Sequence, residues 1–289
     1  MKARYFNPYT DFGFKKLFGE EANKNLLVDF LNELLPKEHK IVELAFKNPE
    51  QLGDIGKERK AIFDIHCKNS AGERFIVEMQ KEKLKFFKDR SVFYATFPIK
   101  EQAEKGEWNF KLNPVYCVAI LDFLFDDDRK QKECISTVQF KDQFGQVFYK
   151  KLTFIFIEMP RFVKQENQLT THFDKWLYFF KYLEDFTGIP EILNEPVFVQ
   201  GFKTAEIANF DALQMDAYEE SLKVYRDLKG VIDTSYEEGE TAGLVKGKIE
   251  GKIEGKKEQA QKTIKTMSEK GYSMAEIFEL AGISPEDLA

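Results

Sequence analysis

Residues 61–80 constrain the fold of this chain more than any other segment. Two runs with alternating side-chain character, 61–67 and 74–80, flank the polar sequence N-S-A-G-E. Alternation with a period of two predicts β-strands. A three-residue loop that ends on a left-handed glycine predicts a hairpin between them. Counting back from this turn places Asp64 directly opposite Glu78.

This pairing predicts a site for a divalent cation. Side chains that face each other across two antiparallel strands have Cβ atoms about 5 Å apart, so Asp64 and Glu78 repel each other unless a cation lies between them. Carboxylate oxygens suit Mg²⁺, which keeps several waters and shares its coordination with phosphate. Gln80 follows Glu78 by two residues, so its side chain is expected on the same face of the strand, where it can orient a water or contact a phosphate oxygen. The alternative is a solvated hairpin face, with Val77 and Met79 turned to the core.

The remaining pattern predicts an α/β fold with a mixed sheet rather than repeated βαβ units. Apolar residues recur at helical spacing over 10–36, and basic and aromatic residues alternate with a helical period over 83–104. Further strands are expected at 41–46, 115–123, 135–140, 146–149 and 152–159.

The C-terminal part of the sequence predicts helices. A helix is expected over 205–228, and a glycine follows at every fourth position from Gly239 to Gly255. Each glycine costs about 1 kcal/mol relative to alanine in a helix, so the segment is a frayed helix or linker unless something packs on the glycines. It is either a surface for self-association or a flexible tether. Two short helices are expected after Gly271, the second beyond Gly282.

Several motifs together resemble a known nuclease family. Asp64 followed by Glu78-Met79-Gln80 is similar to the D…E-x-Q form of the PD-(D/E)xK nuclease core. The segment 10–19 (TDFGFKKLFG), the pattern L-x-x-F-L-N at 27–32 and Arg90-Ser91-x-x-Tyr94 resemble its recombination-promoting nuclease and putative transposase branch. The resemblance covers residues 5–160 and implies a restriction-endonuclease-like mixed sheet with a helical C-terminal region.

The resemblance implies a Mg²⁺-dependent DNA endonuclease. Asp64 and Glu78 would bind the metal, and Gln80 stands where such cores usually have a lysine, so a fixed positive charge is missing there. Asp11 matches the family's N-terminal acid and is a candidate additional ligand or ligand-orienting group. Its alternative role is the N-cap of the first helix, a position that favours Asp.

DNA contacts are expected just after this motif. Lys81, Lys85 and Lys88 are predicted to lie on one side of a helix, where lysines contact phosphates without reading sequence. Arg90 and Tyr94, four residues apart, can share a face toward the site. The alternatives are a solvated, ion-paired helix face for the lysines and a core position for Tyr94.

Charge and composition narrow the function further. The net charge of −6 argues against a protein that coats polyanions in bulk, so any DNA contact has to be a local patch. No apolar run approaches the ~20 residues that cross a bilayer. With three cysteines and no apolar secretory segment at the start, we expect a cytoplasmic protein.

The sequence predicts four regions and leaves one functional alternative. The regions are a nuclease-like core (5–160), a helical region (161–235), a Gly/Lys/Glu-rich helical tether (236–270) and a small helix pair (271–289). A homo-oligomer through the C-terminal helices is expected. The alternative function is a catalytically weak or inactive module of a mobile element that binds nucleic acid or oligomerises. A transcription factor using residues 271–289 is disfavoured, because the second short helix ends the sequence.

Overall fold

The computed structural model describes residues 3–36, 40–47, 50–51, 61–62, 64–103, 106–125 and 133–282. The chain divides into two compact units, Met1–Leu228 and Lys229–Ala289. The helices are α1 (Asp11–Phe18), α2 (Lys24–Leu34), α3 (Phe87–Lys100), α4 (His172–Tyr182), α5 (Pro196–Ala205), α6 (Ala212–Glu269) and α7 (Met274–Ala281). The strands are β1 (Leu44–Phe46), β2 (Glu50–Gln51), β3 (Ala61–Ile62), β4 (Ile65–Asn69), β5 (Arg74–Gln80), β6 (Val115–Leu121), β7 (Ile135–Lys141) and β8 (Val147–Glu158).

The first unit is built on a mixed six-stranded sheet. Its strand order is β1-β4-β5-β6-β8-β7, and β2 pairs with β3 separately. The β5–β6 and β6–β8 pairs are parallel, whereas β1–β4, β4–β5 and β7–β8 are antiparallel. The predicted α/β class with a mixed sheet is therefore confirmed.

The predicted hairpin register is also confirmed. Ile65 pairs with Val77, which places the neighbouring Asp64 at the level of Glu78. The turn closes as expected, because Gly72 has a φ of +86°, a backbone conformation that other residues rarely adopt.

The predicted strand 61–67 is interrupted, and this prediction was wrong in detail. β3 ends at Ile62, and Asp64 lies in a bend before β4 begins. The reason is local, because the Asp64 carboxylate accepts a hydrogen bond of 2.7 Å from the backbone N–H of Met79. A side-chain oxygen thus serves an N–H that strand pairing would otherwise satisfy.

The two faces of the sheet carry different cores. Phe75, Val77 and Met79 of β5 face a large cluster that includes side chains of α1, α2, α4, α5 and the first turns of α6. Ile76 faces a smaller cluster beneath α3. The larger cluster joins residues on both sides of position 160, so the later helices complete the packing of the sheet.

Two other element predictions were wrong. The segments 146–149 and 152–159 form one strand, β8, because register shifts opposite Phe140 accommodate the polar residues between them. The helix expected over 205–228 is instead the end of α5, a connection and the start of α6 at Ala212.

The second unit is helical, and the glycine-rich segment is part of α6. Apart from the neighbouring backbone of α6 itself, no heavy atom of the described residues lies within 4 Å of a Cβ built at Gly239, Gly243, Gly247, Gly251 or Gly255. α6 thus continues through this segment although no described side chain packs on its glycines, contrary to the frayed-helix prediction.

α7 forms as expected after Gly271. Ser273 caps it through the backbone N–H of Glu276, and Gly282 follows in the left-handed conformation. Ile277 of α7 and Ala260 of α6 are both buried. The second predicted short helix and the acidic run 126–128 lie outside the described residues. None of the described helices is both long and apolar enough to cross a bilayer.

Candidate active site

Glu78 is a buried carboxyl group on an interior strand. β5 lies between β4 and β6, and Glu78 is 8% exposed, so the solvated-face alternative was wrong for this residue. Burial and the nearby charge of Asp64 raise the Glu78 pKa to about 8. Its Oε1 atom is buried and has no hydrogen-bond partner among the described residues. A buried acceptor left without a partner is costly, so this atom is a candidate ligand for a bound group.

Asp64 is held in place by its bond to Met79 and is half-buried. Burial raises the Asp64 pKa, and the charge of Asp11 acts in the same direction. The hydrogen bond from Met79 opposes this shift by favouring the ionised form. This hydrogen bond fixes the Asp64 side chain beside Met79, which is the neighbour of Glu78 in the sequence.

Asp64 lines an open pocket of about 650 Å³, which we call the Asp64 pocket. α1 and α6 form its walls and the end of β5 contributes Lys81. Its lining residues are Asp11, Phe12, Lys15, Lys16, Gly19, Glu20, Asp64, Lys81, Ala217, Glu220, Ser221 and Val224. The pocket therefore gathers carboxylates and lysines, a mixture suited to a cation together with a phosphate.

Asp11 shares this pocket and is not the helix cap. The Oγ1 atom of Thr10 caps α1 by accepting a hydrogen bond of 2.9 Å from the N–H of Gly13. Asp11 is the first residue of α1, is exposed and pairs with Lys15 at 3.0 Å. The N-cap alternative for Asp11 was wrong because Thr10 occupies that position.

Glu78 lines a separate small cavity beneath α3, the Glu78 cavity. Ser91 and Tyr94 of α3 close it from one side and Phe156 of β8 from another. The structure thus brings Asp64 and Glu78 to the same level of the sheet, near enough for their charges to interact, but into separate recesses, one walled by α1 and α6 and the other beneath α3.

Arg90 connects the residues around Glu78. Its Nη1 donates a hydrogen bond of 3.2 Å to Oε1 of Gln80, and its Nη2 lies 4.0 Å from Oε2 of Glu78. The guanidinium also lies 4.8 Å from the ring centre of Tyr94. Gln80 donates from Nε2 to the carbonyl of Glu82 at 3.0 Å. The predicted shared face of Arg90 and Tyr94 is confirmed, and the Gln80 amide is held at both ends.

The three lysines do not form one helical stripe, and that part of the prediction was wrong. α3 begins only at Phe87, because the chain first turns away from the end of β5. Lys81 lies in the Asp64 pocket, where burial lowers its pKa, and its Nζ is 5.8 Å from the ring centre of Tyr225. Lys85 and Lys88 lie over aromatic rings elsewhere.

The donor set fits a lightly coordinated hard cation. Among the described residues, no group of three or more His, Cys, Asp or Glu side chains is arranged to hold a metal. Mg²⁺ does not need such a group, because it is commonly bound by one or two carboxylates, waters and substrate phosphates. The unpartnered Oε1 of Glu78 and the nearby Asp64 carboxylate match that requirement.

Sequence reasoning missed the contribution of α6. Ser221 accepts a hydrogen bond of 3.1 Å from the backbone N–H of Phe12, and Tyr225 bonds to Asp122 at 3.3 Å. Tyr218 and Tyr225, two helical turns apart, are both buried. This spacing was the signal that the start of α6 packs against the core.

Comparison with known proteins agrees with this architecture. The family model described as PD-(D/E)XK nuclease family transposase matches residues 8–235, which is well over half of the chain. Neither the comparison with curated proteins nor that with solved structures gives a match. The mixed sheet with flanking helices is the restriction-endonuclease-like fold of that family. The chain belongs to the PD-(D/E)XK nuclease family of transposases.

Proposed function

We propose that this protein is a Mg²⁺-dependent DNA endonuclease in which Asp64 and Glu78 hold the metal. The observation that carries the proposal is the buried Glu78 carboxyl, whose Oε1 has no hydrogen-bond partner in the described part of the chain and which interacts with a second carboxylate. A family of nucleases provides the reaction class. Two neighbouring carboxyl groups with raised pKa values are typical of functional sites.

The metal requirement follows from the charges at the site. Burial and the charge of Asp64 favour the protonated form of Glu78, so an added positive charge at this carboxyl would favour its ionised form at neutral pH. A divalent cation held by Asp64 and Glu78 would supply that charge, and its chemistry would be to activate a water molecule and to neutralise the charge that develops on the phosphate. Asp11, in the same pocket as Asp64, is proposed to assist in orienting this ligand set.

Gln80 and Arg90 are proposed to position the reacting groups. Arg90 holds the Gln80 amide by its Oε1 and keeps a positive charge near Glu78. Gln80 is proposed to orient the attacking water or a phosphate oxygen through its amide. Positioning of this kind contributes strongly to catalysis, because small displacements of reacting groups lower rates sharply.

The DNA backbone is proposed to follow the positive side chains that surround the two recesses. Lys81 lies inside the Asp64 pocket and would supply the charge that Gln80 lacks. Lys85, Lys88, Arg90 and Tyr94 continue this path along the connection to α3 and the helix itself. Contacts from such side chains fix the register of the duplex rather than its sequence.

One observation favours the second candidate, an inactive nucleic-acid-binding module. Gln80 is bonded both to Arg90 and to the carbonyl of Glu82, so its amide is engaged within the protein. A site built only to hold DNA would tolerate this arrangement.

The test is plasmid nicking by the purified chain over a Mg²⁺ titration. Asp64→Asn keeps an oxygen acceptor for Met79 but removes the charge, so we expect a folded protein whose nicking rate falls about 100-fold or more. Asp89→Asn, a change of an exposed acid on α3, is the matched control and should nick normally. Nicking by Asp64→Asn at the wild-type rate would refute the assignment. A wild-type chain that shifts DNA in EDTA but never nicks it would support the binding module.

A further inference from the structure

The groove between α3 and the β7–β8 edge of the sheet is a second recess next to the proposed reaction site. Its volume is about 480 Å³, within the range of pockets that hold small ligands. Its lining residues are Lys88, Ser91, Val92, Phe125, Val138, Gln139, Phe140, Phe154 and Phe156. We call it the α3 groove.

The α3 groove adjoins the Glu78 cavity. Ser91 and Phe156 line both recesses, so the two share part of their walls. A nucleotide next to a phosphate at Glu78 is therefore within reach of the groove. A role for the α3 groove beside Glu78 therefore rests on the proposed nuclease function.

Aromatic rings form the floor of the α3 groove. Phe125 packs edge-on against Phe156 at 5.3 Å, and Phe154 stacks with Phe156 at 6.2 Å. Phe140 lies at the rim and is 54% exposed. Exposed aromatic rings bind nucleobases of any sequence by stacking.

The charge of the α3 groove suits a nucleic-acid strand. Among its described lining residues, Lys88 is the charged one, and its Nζ lies 4.9 Å from the ring centre of Phe125. A cation at the rim of an aromatic recess is complementary to a phosphate whose base enters the recess.

We propose that the α3 groove takes an unpaired nucleobase of the DNA strand that is cut at the neighbouring carboxylates. A paired base cannot enter, because its stacking and pairing must first be broken, and that cost is smallest at an unpaired position. The substrate class is thus DNA with an unpaired or extruded base beside the scissile phosphate.

The test compares two DNA duplexes that each contain one 2-aminopurine. This base is paired in one duplex and is an unpaired bulge in the other. The full chain is titrated in EDTA, so that binding is measured without cleavage, and base fluorescence reports stacking. Phe140→Ala should weaken binding to the bulged duplex by about 5- to 150-fold, the range for loss of one base–aromatic stack. Binding to the paired duplex should stay unchanged.

Two variants control this result. Phe148→Ala removes a ring that is 83% exposed on the same hairpin but does not line the α3 groove, and it should bind both duplexes normally. Phe140→Trp keeps a stacking surface and should preserve the fluorescence change.

Three results would overturn the proposal. Equal losses for both duplexes would mean that Phe140 does not select an unpaired base. Unchanged fluorescence on binding would mean that the base stays outside. A dimer that Phe140→Ala dissociates, with no effect on DNA, would assign the groove to a second copy of this chain.

The outcome is separable from that of the nuclease proposal. If neither duplex is cut in Mg²⁺ but Phe140→Ala still selectively weakens bulge binding, the α3 groove stands and the nuclease assignment fails. If both duplexes are cut equally and Phe140 has no effect on binding or fluorescence, the nuclease stands and the α3 groove proposal fails.

Discussion

Arg90 donates a hydrogen bond of 3.2 Å from Nη1 to Oε1 of Gln80, and this contact joins α3 to the last residue of β5. The same guanidinium lowers the pKa of Glu78, against the larger effect of burial. Arg90 thus links the orientation of the amide to the protonation of the buried acid.

Arg90→Ala should change both the rate and the pH dependence of DNA cleavage. We expect a fall of about 100-fold in rate, as is typical when reacting groups lose their positioning. Without the positive charge the pKa of Glu78 rises further, so the rising limb of the pH–rate profile should move to higher pH. Arg90→Lys keeps the positive charge but loses the planar guanidinium group. It should return the rising limb of the pH–rate profile to the wild-type position, while the rate stays low. An unshifted limb in Arg90→Ala would contradict this coupling.

Glu78 should make the metal-free protein less stable as the pH rises. Its folded pKa of about 8 exceeds the usual value of 4.5, so unfolding releases a proton that folding retains. This stability is fully present below pH 4.5 and is lost as the pH rises through 8. The isosteric Glu78→Gln variant has no carboxyl proton to release, so its stability should lack this pH dependence.

The measurement is thermal unfolding of wild type and Glu78→Gln in EDTA between pH 5 and 9. One unit of pKa shift corresponds to about 1.4 kcal/mol, and 1 kcal/mol to roughly 2–4 °C for a unit of this size. Relative to the variant, wild type should lose at least about 5 °C across that range. Parallel curves would show that Glu78 is not a buried acid.

His172 should also stabilise the folded protein at low pH, but through its charged form, whereas Glu78 does so through its neutral form. Its Nε2 lies 2.7 Å from Oδ1 of Asp29 and its Nδ1 lies 3.1 Å from Oε2 of Glu195. The hydrogen bond to Asp29 raises the His172 pKa above 6.5. The stability from the charged ring is therefore full below pH 6.5 and is lost as the pH rises through the folded pKa.

His172→Ala should thus lower Tm more at pH 5.5 than at pH 9, by roughly 3–6 °C for a charged hydrogen bond of about 1.5 kcal/mol. Asp29→Asn removes the negative charge that favours the protonated ring and should reduce the same pH dependence. An equal loss at both pH values would mean that His172 is already neutral at pH 5.5.

The exposed stripe of Val245, Ile249 and Ile253 on α6 is proposed to pair with a second copy. Each isoleucine follows a lysine and precedes a glutamate, so lysines lie on one flank of the stripe and glutamates on the other. In a parallel pair the lysine flank of one helix meets the glutamate flank of its partner, whereas antiparallel helices would bring like charges together.

Glu250→Lys with Glu254→Lys should therefore weaken self-association about tenfold or more, measured by sedimentation. Adding Lys248→Glu and Lys252→Glu restores opposite flanks and should restore the dimer. A dimer insensitive to both sets of changes, or a monomeric wild type, would refute pairing along this stripe.

Sequence reasoning succeeded where local chemistry decides the structure. The hairpin register follows from one turn with a left-handed Gly72, and Arg90 and Tyr94 share a face because they are four residues apart. Two features were not predicted from the sequence: the bend at Asp64 and the start of α3 at Phe87. Both depend on side-chain contacts at the end of β5. The α6 wall was missed too: the spacing of Tyr218 and Tyr225 indicates a buried face, but not that Ser221 accepts the backbone N–H of Phe12.

That wall also sets when the site can be completed during synthesis. A chain that has emerged from the ribosome only as far as residue 210 already contains Asp64, Glu78 and Gln80, but it lacks Glu220, Ser221 and Val224 along one side of the Asp64 pocket. Cleavage that needs this pocket would begin only after translation has passed Tyr225. Nascent chains and truncated products that end before Ser221 would then lack one wall of the proposed cleavage site.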